Sequence, residues 1–153
     1  MKTHLDPDCW LLVADGAKAI VLRNDGDAEY PNLKTVKVYE EAHAPTHQIG
    51  SDKPPTVHNS VGSARSSIEQ TDYHQQAEDR FLHMVADDLD KQCTAGAFKS
   101  MIIAAPPIAL GALRKCMSAQ LKRHVVADID RDFTPMPVYE IEKAVSAALE
   151  KRG

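Results

Sequence analysis

The stretch Phe98–Ala105, FKSMIIAA, is an almost unbroken apolar run that stops at the pair Pro106-Pro107. A run without polar alternation suits a strand with both faces covered, as inside a sheet flanked by helices. The prolines remove the backbone donors needed to continue the strand. Pro107 fits the first turn of a helix, where the N–H is unused in any case. Leu110, Leu113 and Met117 then line one helical face. A buried strand handing over directly to a helix is the mark of an α/β fold.

The rest of the chain fills in the sheet. Two strand-like segments, Cys9–Ala14 and Ala17–Arg23, meet at Asp15-Gly16, a dipeptide suited to the positive φ angles of a tight hairpin. A third, Leu33–Tyr39, alternates and reads as an edge strand, with Leu33, Thr35, Lys37 and Tyr39 on one face. From Glu41 to Thr71 periodicity gives way to Pro, Ser, His, Gly, Asn and Asp, and a mobile arm is expected over 41–71. Asp72 and Gln75 form a capping-box pair for a long helix. Its apolar stripe is Ala77, Phe81, Leu82, Val85, Ala86, Leu89 and Cys93, Gly96 ends it, and its acidic face reads as solvated. After the basic turn Lys122-Arg123-His124 comes a last strand, Val125–Ile129. A final helix, capped by Thr134 or opened by Pro137, carries Val138, Ile141, Val145, Ala148 and Leu149. Three antiparallel strands followed by right-handed crossovers predict a single-domain α/β fold whose mixed five-stranded sheet has the order 3-2-1-4-5. That is the layout of ribonuclease-H-like folds and of the release-factor middle domain.

At 153 residues, 43% of them hydrophobic, the chain has the size for one core spanning residues 1–153. A net charge of -4 lacks the overall basic excess of autonomous nucleic-acid binders, so contact with RNA would need a local patch. Cys9, Cys93 and Cys116 form no CxxC pair and read as reduced thiols. The opening MKTHLDPDCWLLVADG has acids ahead of an apolar run too short for a membrane span, so a cytoplasmic location without membrane contact is expected.

Four stretches make the chain resemble a bacterial family, the proteins required for attachment to host cells, related to the eukaryotic-type peptide release factors. They are LLVADGAKAIVL, the SDKP segment at Ser51–Pro54, the AEDRF start of the long helix, and AAPPIALGALRK with VVADIDRDFT after it. The most specific is the APPxxLGxLR arrangement at Ala105–Arg114. The chain departs from the family pattern at Pro55-Thr56, where relatives carry Gly-Arg, and at Val61–Arg65, where they carry a Gly-Gly-containing stretch. The Gly-Gly-Gln tripeptide of release factors is absent from the sequence. Without those glycines the backbone cannot closely approach a peptidyl-tRNA ester, so peptide release is not expected.

Catalysis finds little footing. A ribonuclease-H-like nuclease needs converging carboxylates from adjacent strands. Asp15 can supply one, but the neighbouring strand ends in Ala104-Ala105-Pro106, and Asp128, Asp130 and Asp132 read more simply as a strand end. Pro45 disfavours the helix that His43-x-x-x-His47 would need to hold zinc, and no P-loop, GxSxG or GxGxxG occurs. No metal and no cofactor are therefore expected, and binding is favoured over enzymatic activity.

For binding, Arg114, Lys115, Lys122 and Arg123 cluster around one helix and its exit. Lys53 and Arg65 on the arm can join them to form a cationic surface for a ribosome or structured RNA. Two readings stay open for the Pro106-Pro107 corner: either Asp52 or Arg65 swings toward Asp15 and the start of the Pro107 helix, closing a crevice at the strand ends, or the prolines only stop the strand and the alanines pack tightly. The alternatives are an interaction protein influencing host adhesion and a metal-dependent nuclease or phosphoesterase built on Asp15. The edge strand Leu33–Tyr39 offers a surface for a homodimer.

Overall fold

The computed structural model describes residues 5–40 and 56–152; for 56–74 and 152 the description is of the backbone alone. Five strands, β1 (Trp10–Ala14), β2 (Lys18–Asn24), β3 (Leu33–Glu40), β4 (Met101–Ala104) and β5 (Val125–Ile129), form one sheet in the order β3-β2-β1-β4-β5. β1 is antiparallel to β2 and parallel to β4, and β4 is parallel to β5. Among the described residues four helices accompany them: α1 (Thr56–Thr94), α2 (Pro107–Cys116), α3 (Ala119–His124) and α4 (Val138–Arg152). The expected α/β class and strand order are both found.

Alternation along the central strands splits the core in two. Trp10, Leu12, Ala14, Met101 and Ile103 face a layer built from α1, α2 and α3, including Phe81, Val85, Leu89, Leu113 and Leu121. Leu11, Val13, Ile102 and Ala104 face α4, where Ile141, Val145 and Leu149 pack with Leu5 and Phe133. Both faces of β1 and β4 are covered, which explains why their sequences show no polar alternation.

Several boundaries differ from the sequence reading, each for a local reason. α1 begins at Thr56 instead of Asp72, so 56–71 is helical where the sequence reads as a loop; residues 41–55 lie outside the description. The upstream turns carry no apolar stripe that periodicity can detect. Once the buried part from Ala77 to Cys93 has nucleated a helix, straight-chain residues such as Glu69 and Gln70 extend it at little cost. Its end at Gly96 is as expected. With φ of 80°, Gly96 donates to Cys93 O while Ala97 donates to Gln92 O, the paired bonds of a Schellman ending.

In β3 the register shifts opposite Val21/Leu22, leaving Val36 as an extra residue. The bulge puts Leu33 on the α4 side and Tyr39 on the α1 side, not on one face as strict alternation predicts. The segment read as a basic turn is α3, capped by the Ser118 hydroxyl, which accepts from Leu121 N–H at 3.0 Å. At α4, Pro137 opens the helix, its carbonyl accepting from the Glu140 and Ile141 amides.

The acidic face of α1 does more than meet solvent. Asp88 accepts from the Tyr39 hydroxyl and, at 2.9 Å, from Lys37 Nζ, and Asp90 accepts from the Ser118 hydroxyl at 2.6 Å. The Tyr39 bond, then that from Lys37, holds the Asp88 carboxyl below its ordinary range; burial, then the Asp88 bond, holds the Tyr39 phenol well above its own. A depressed carboxyl pKa stabilises the fold above the unfolded value of about 4, and that contribution is lost as pH falls through the folded value. Tyr39→Phe should therefore cost about 1–2 kcal/mol at pH 7. Urea titrations at pH 3 and pH 7 should show the gap between variant and parent shrinking on the acid side.

Candidate functional site

The parallel strands β1, β4 and β5 end at one edge, because Val13 pairs with Ala104 and Ala104 with Ile129. Asp15, the Pro106-Pro107 corner and Asp130 therefore share that edge, as the strand order requires. Ala104 and Ala105 are fully buried, while Pro107 and Ile108 are exposed. Pro106 stops the strand and its carbonyl accepts from Leu110 N–H, opening α2. The corner is packed, with the alanines as its floor.

Asp15 is committed to its own turn. Its Oδ1 accepts from the Ala17 and Lys18 amides, each at 2.8 Å, and its N–H donates to Lys18 O at 2.9 Å. The carboxylate thus closes the β1–β2 connection in place of a backbone carbonyl. Among the described residues, positive φ occurs at Asp8 and Gly96 but not at Gly16, so the positive-φ hairpin expected from Asp-Gly is not formed. Gly16 serves another purpose: a Cβ there would come within 2.5 Å of the Glu78 side chain, so glycine lets α1 approach the turn.

Thr134 Oγ1 lies 3.1 Å from Asp15 Oδ2 and 2.6 Å from Asp132 Oδ1, and it shares its single proton between the two carboxylates. Thr134 N–H adds a bond to Asp132 Oδ1 at 3.0 Å. Thr134 is thus a tie between the β5 exit loop and the β1 turn instead of the helix cap its sequence position suggests. The DFT tripeptide at Asp132–Thr134 was the signal for that local bond, but nothing in the sequence pairs it with Asp15. Among the described residues no group of three or more His, Cys, Asp or Glu is placed to hold a metal ion.

The predicted cationic cluster divides. The Arg114 guanidinium donates to Asp128 on β5, a partner that spacing did not reveal. Arg114, Lys122 and Asp128 rim a cavity of about 280 Å³ whose floor includes Ile103, Leu110 and Met117. Lys115 and Arg123 are exposed. Burial raises the pKa of the Cys93 thiol, the Asp90 charge adds to the rise, and the Arg123 charge partly opposes it. Asp52 and Lys53 lie outside the described residues, and Arg65 falls on the helical backbone of α1 instead of a loop. Crevice closure by these residues falls outside the described side chains.

Cys9 and Cys93 are buried and Cys116 half-buried, all as free thiols, and burial is the leading cause that raises each pKa. Cys93 Sγ is 3.4 Å from His124 Nδ1, but that nitrogen is also 2.9 Å from Gln120 O. A carbonyl can only accept, so Nδ1 carries the proton and is no base for the thiol. No described helix is long and apolar enough to cross a membrane.

No curated protein matches the chain. Among solved structures, an archaeal translation termination factor, aRF1, is similar at 13% identity and a TM-score of 0.47. The likeness covers 94% of this chain and 39% of that factor, and it is too distant to transfer anything between the two. A family profile matches residues 10–145, from the first strand into the last helix, and by that match the chain belongs to the family described as "protein required for attachment to host cells".

Proposed function

We propose that this family member is a non-catalytic binding protein that engages the phosphate backbone of structured RNA, alone or on a ribosome, through the cationic edge formed by α2 and α3. The observation that carries the non-catalytic part is the state of Asp15: both carboxylate oxygens are occupied in holding the β1–β2 turn and the β5 exit. The binding part is supported by Lys115, Lys122 and Arg123, which stand exposed on consecutive helices of a chain whose net charge is -4. Such a patch neutralises phosphates without reading sequence, and its affinity depends steeply on salt.

Fluorescence anisotropy with a labelled RNA hairpin tests this reading. With about three phosphates neutralised, affinity should fall roughly 30-fold or more between 50 and 200 mM salt. Lys122→Glu with Arg123→Glu should remove most of the binding and leave the thermal midpoint nearly unchanged, since both side chains are exposed. Binding no better than that of an acidic control protein, or binding indifferent to the charge reversals, would sink the RNA reading.

The family description favours a second reading, an interaction protein that contributes to attachment to host cells. Deletion of the gene followed by an adhesion assay, with the Lys122→Glu, Arg123→Glu form as complement, separates the two. Adhesion restored by a form that no longer binds RNA would place the attachment role on another surface.

A further inference from the structure

On the α4 side of the sheet, the helix turns Ile141, Val145 and Leu149 onto the strands, while the stripe beside them carries Ala144, Ala147 and Ala148. Alanines are too small to fill the space between α4 and the loop that leaves β5. A cavity of about 380 Å³ remains there, lined by those alanines and by Ile129, Phe133 and Met136. Its volume lies in the range of small-molecule sites, about 300–1,000 Å³. Ile129 and Phe133 are buried and Met136 half-buried, so the floor is apolar and already formed.

The charges sit at its lip. Arg131 and Lys151 border the cavity and both are exposed. Among the described residues neither lies within ion-pair distance of a carboxylate, whereas Arg23, Lys37 and Arg114 are each paired. Of the two bordering acids Asp128 is already engaged by Arg114, which leaves Asp130 as the opposing charge. One cation is therefore in excess beside an apolar floor.

We propose that this cavity binds a small amphipathic monoanion, an aliphatic carboxylate in its free monomeric form, with the chain along Phe133, Met136 and the α4 alanines and the carboxylate between Arg131 and Lys151. Burial of the chain supplies the affinity, and the cations set its direction and select against a positively charged head group. The lining runs over two turns of α4, from Ala144 to Lys151, which suits a linear chain with its charge at one end. Met136, unbranched and adaptable, can follow the chain closely. The site goes beyond the RNA reading, because it lies on the opposite sheet face from Lys115, Lys122 and Arg123 and uses none of them.

Isothermal titration of the whole chain with octanoate and decanoate at pH 7, below their micelle concentrations, tests this. Each added methylene should tighten binding about fourfold. Decyltrimethylammonium, with the same tail and the opposite charge, should bind at least about tenfold more weakly than decanoate. Decanoate should also shift the Met136 methyl resonance. Arg131→Glu with Lys151→Glu should weaken decanoate about tenfold while leaving the affinity for an RNA hairpin as it was. Ala147→Phe, at an exposed position of the lining, should weaken it at least as much by filling the cavity, with the thermal midpoint kept. Affinity independent of chain length, equal binding of the cationic tail, decanoate affinity unchanged in both variants, or capture by phosphatidylcholine vesicles without binding of the monomer would each overturn the proposal.

Discussion

Asn24→Asp should lose about 4 kcal/mol at pH 7, close to the whole stability of many single domains, although it changes one group on a loop-flanking residue. Asn24 is fully buried at the end of β2. Its Nδ2 donates to Leu5 O at 2.7 Å and to Asp6 O and Asp27 O at 3.2 Å each; its Oδ1 accepts from Gly26 and Asn32 amides, both at 2.9 Å. One side chain thus ties the N-terminal segment to the β2–β3 connection. An aspartate of the same shape keeps the acceptor but turns the donor into a second acceptor facing carbonyl oxygens. Burial and those carbonyls would raise its folded pKa above the unfolded value near 4.

The penalty is then smallest below that unfolded value, where the carboxyl is protonated in both states and can donate one bond. It grows as pH rises through the folded value. Urea unfolding of parent and variant at pH 4 and pH 7 would show this as a widening gap. A gap independent of pH would mean that the donor side of Asn24 contributes little. Gly26→Ala probes the same connection, since a Cβ there would come within 2.3 Å of Tyr30 O, a backbone atom that cannot move aside cheaply.

Asn24 also shows where sequence reading loses its grip. The central strands were legible because burial on both faces leaves continuous apolar runs, and the buried half of α1 because its stripe repeats at helical spacing. Asn24, Asp25 and Gly26 carry no such pattern. Their composition is that of any surface turn, and two of the partners that make Asn24 a hub, Leu5 and Asp6, come from a separate N-terminal segment. The upstream half of α1 failed for the opposite reason: it is helical by extension from a packed segment, with no stripe of its own to announce it. The cationic cluster was legible as composition but not as geometry. Spacing places Arg114 near Lys115, whereas the ion pair across to Asp128 decides that Arg114 faces a cavity rim.

Asp15 separates a structural carboxylate from a catalytic one. Asp15→Ala removes the acceptor for the Ala17 and Lys18 amides and the contact with Thr134, and should cost about 2–3 kcal/mol. Those amides lie near solvent, so water replaces part of what is lost and the effect stays below that of Asn24. Asp15→Asn keeps Oδ1 for both amides, and its new N–H₂ can donate to Asp132 or Thr134, so its cost should stay within about 1 kcal/mol. A metal-dependent nuclease would respond in the reverse way: Asn would abolish phosphodiester cleavage in magnesium or manganese while leaving the fold intact. Thermal unfolding of both variants, beside a cleavage assay on RNA and DNA, makes the comparison direct. Loss of stability in Ala but not Asn, with no cleavage that depends on Asp15, is the outcome expected of a turn-forming carboxylate. Cleavage by the parent that vanishes in a fully folded Asp15→Asn would overturn the binding-protein assignment, because only a carboxylate that reaches the reacting phosphate gives that pattern.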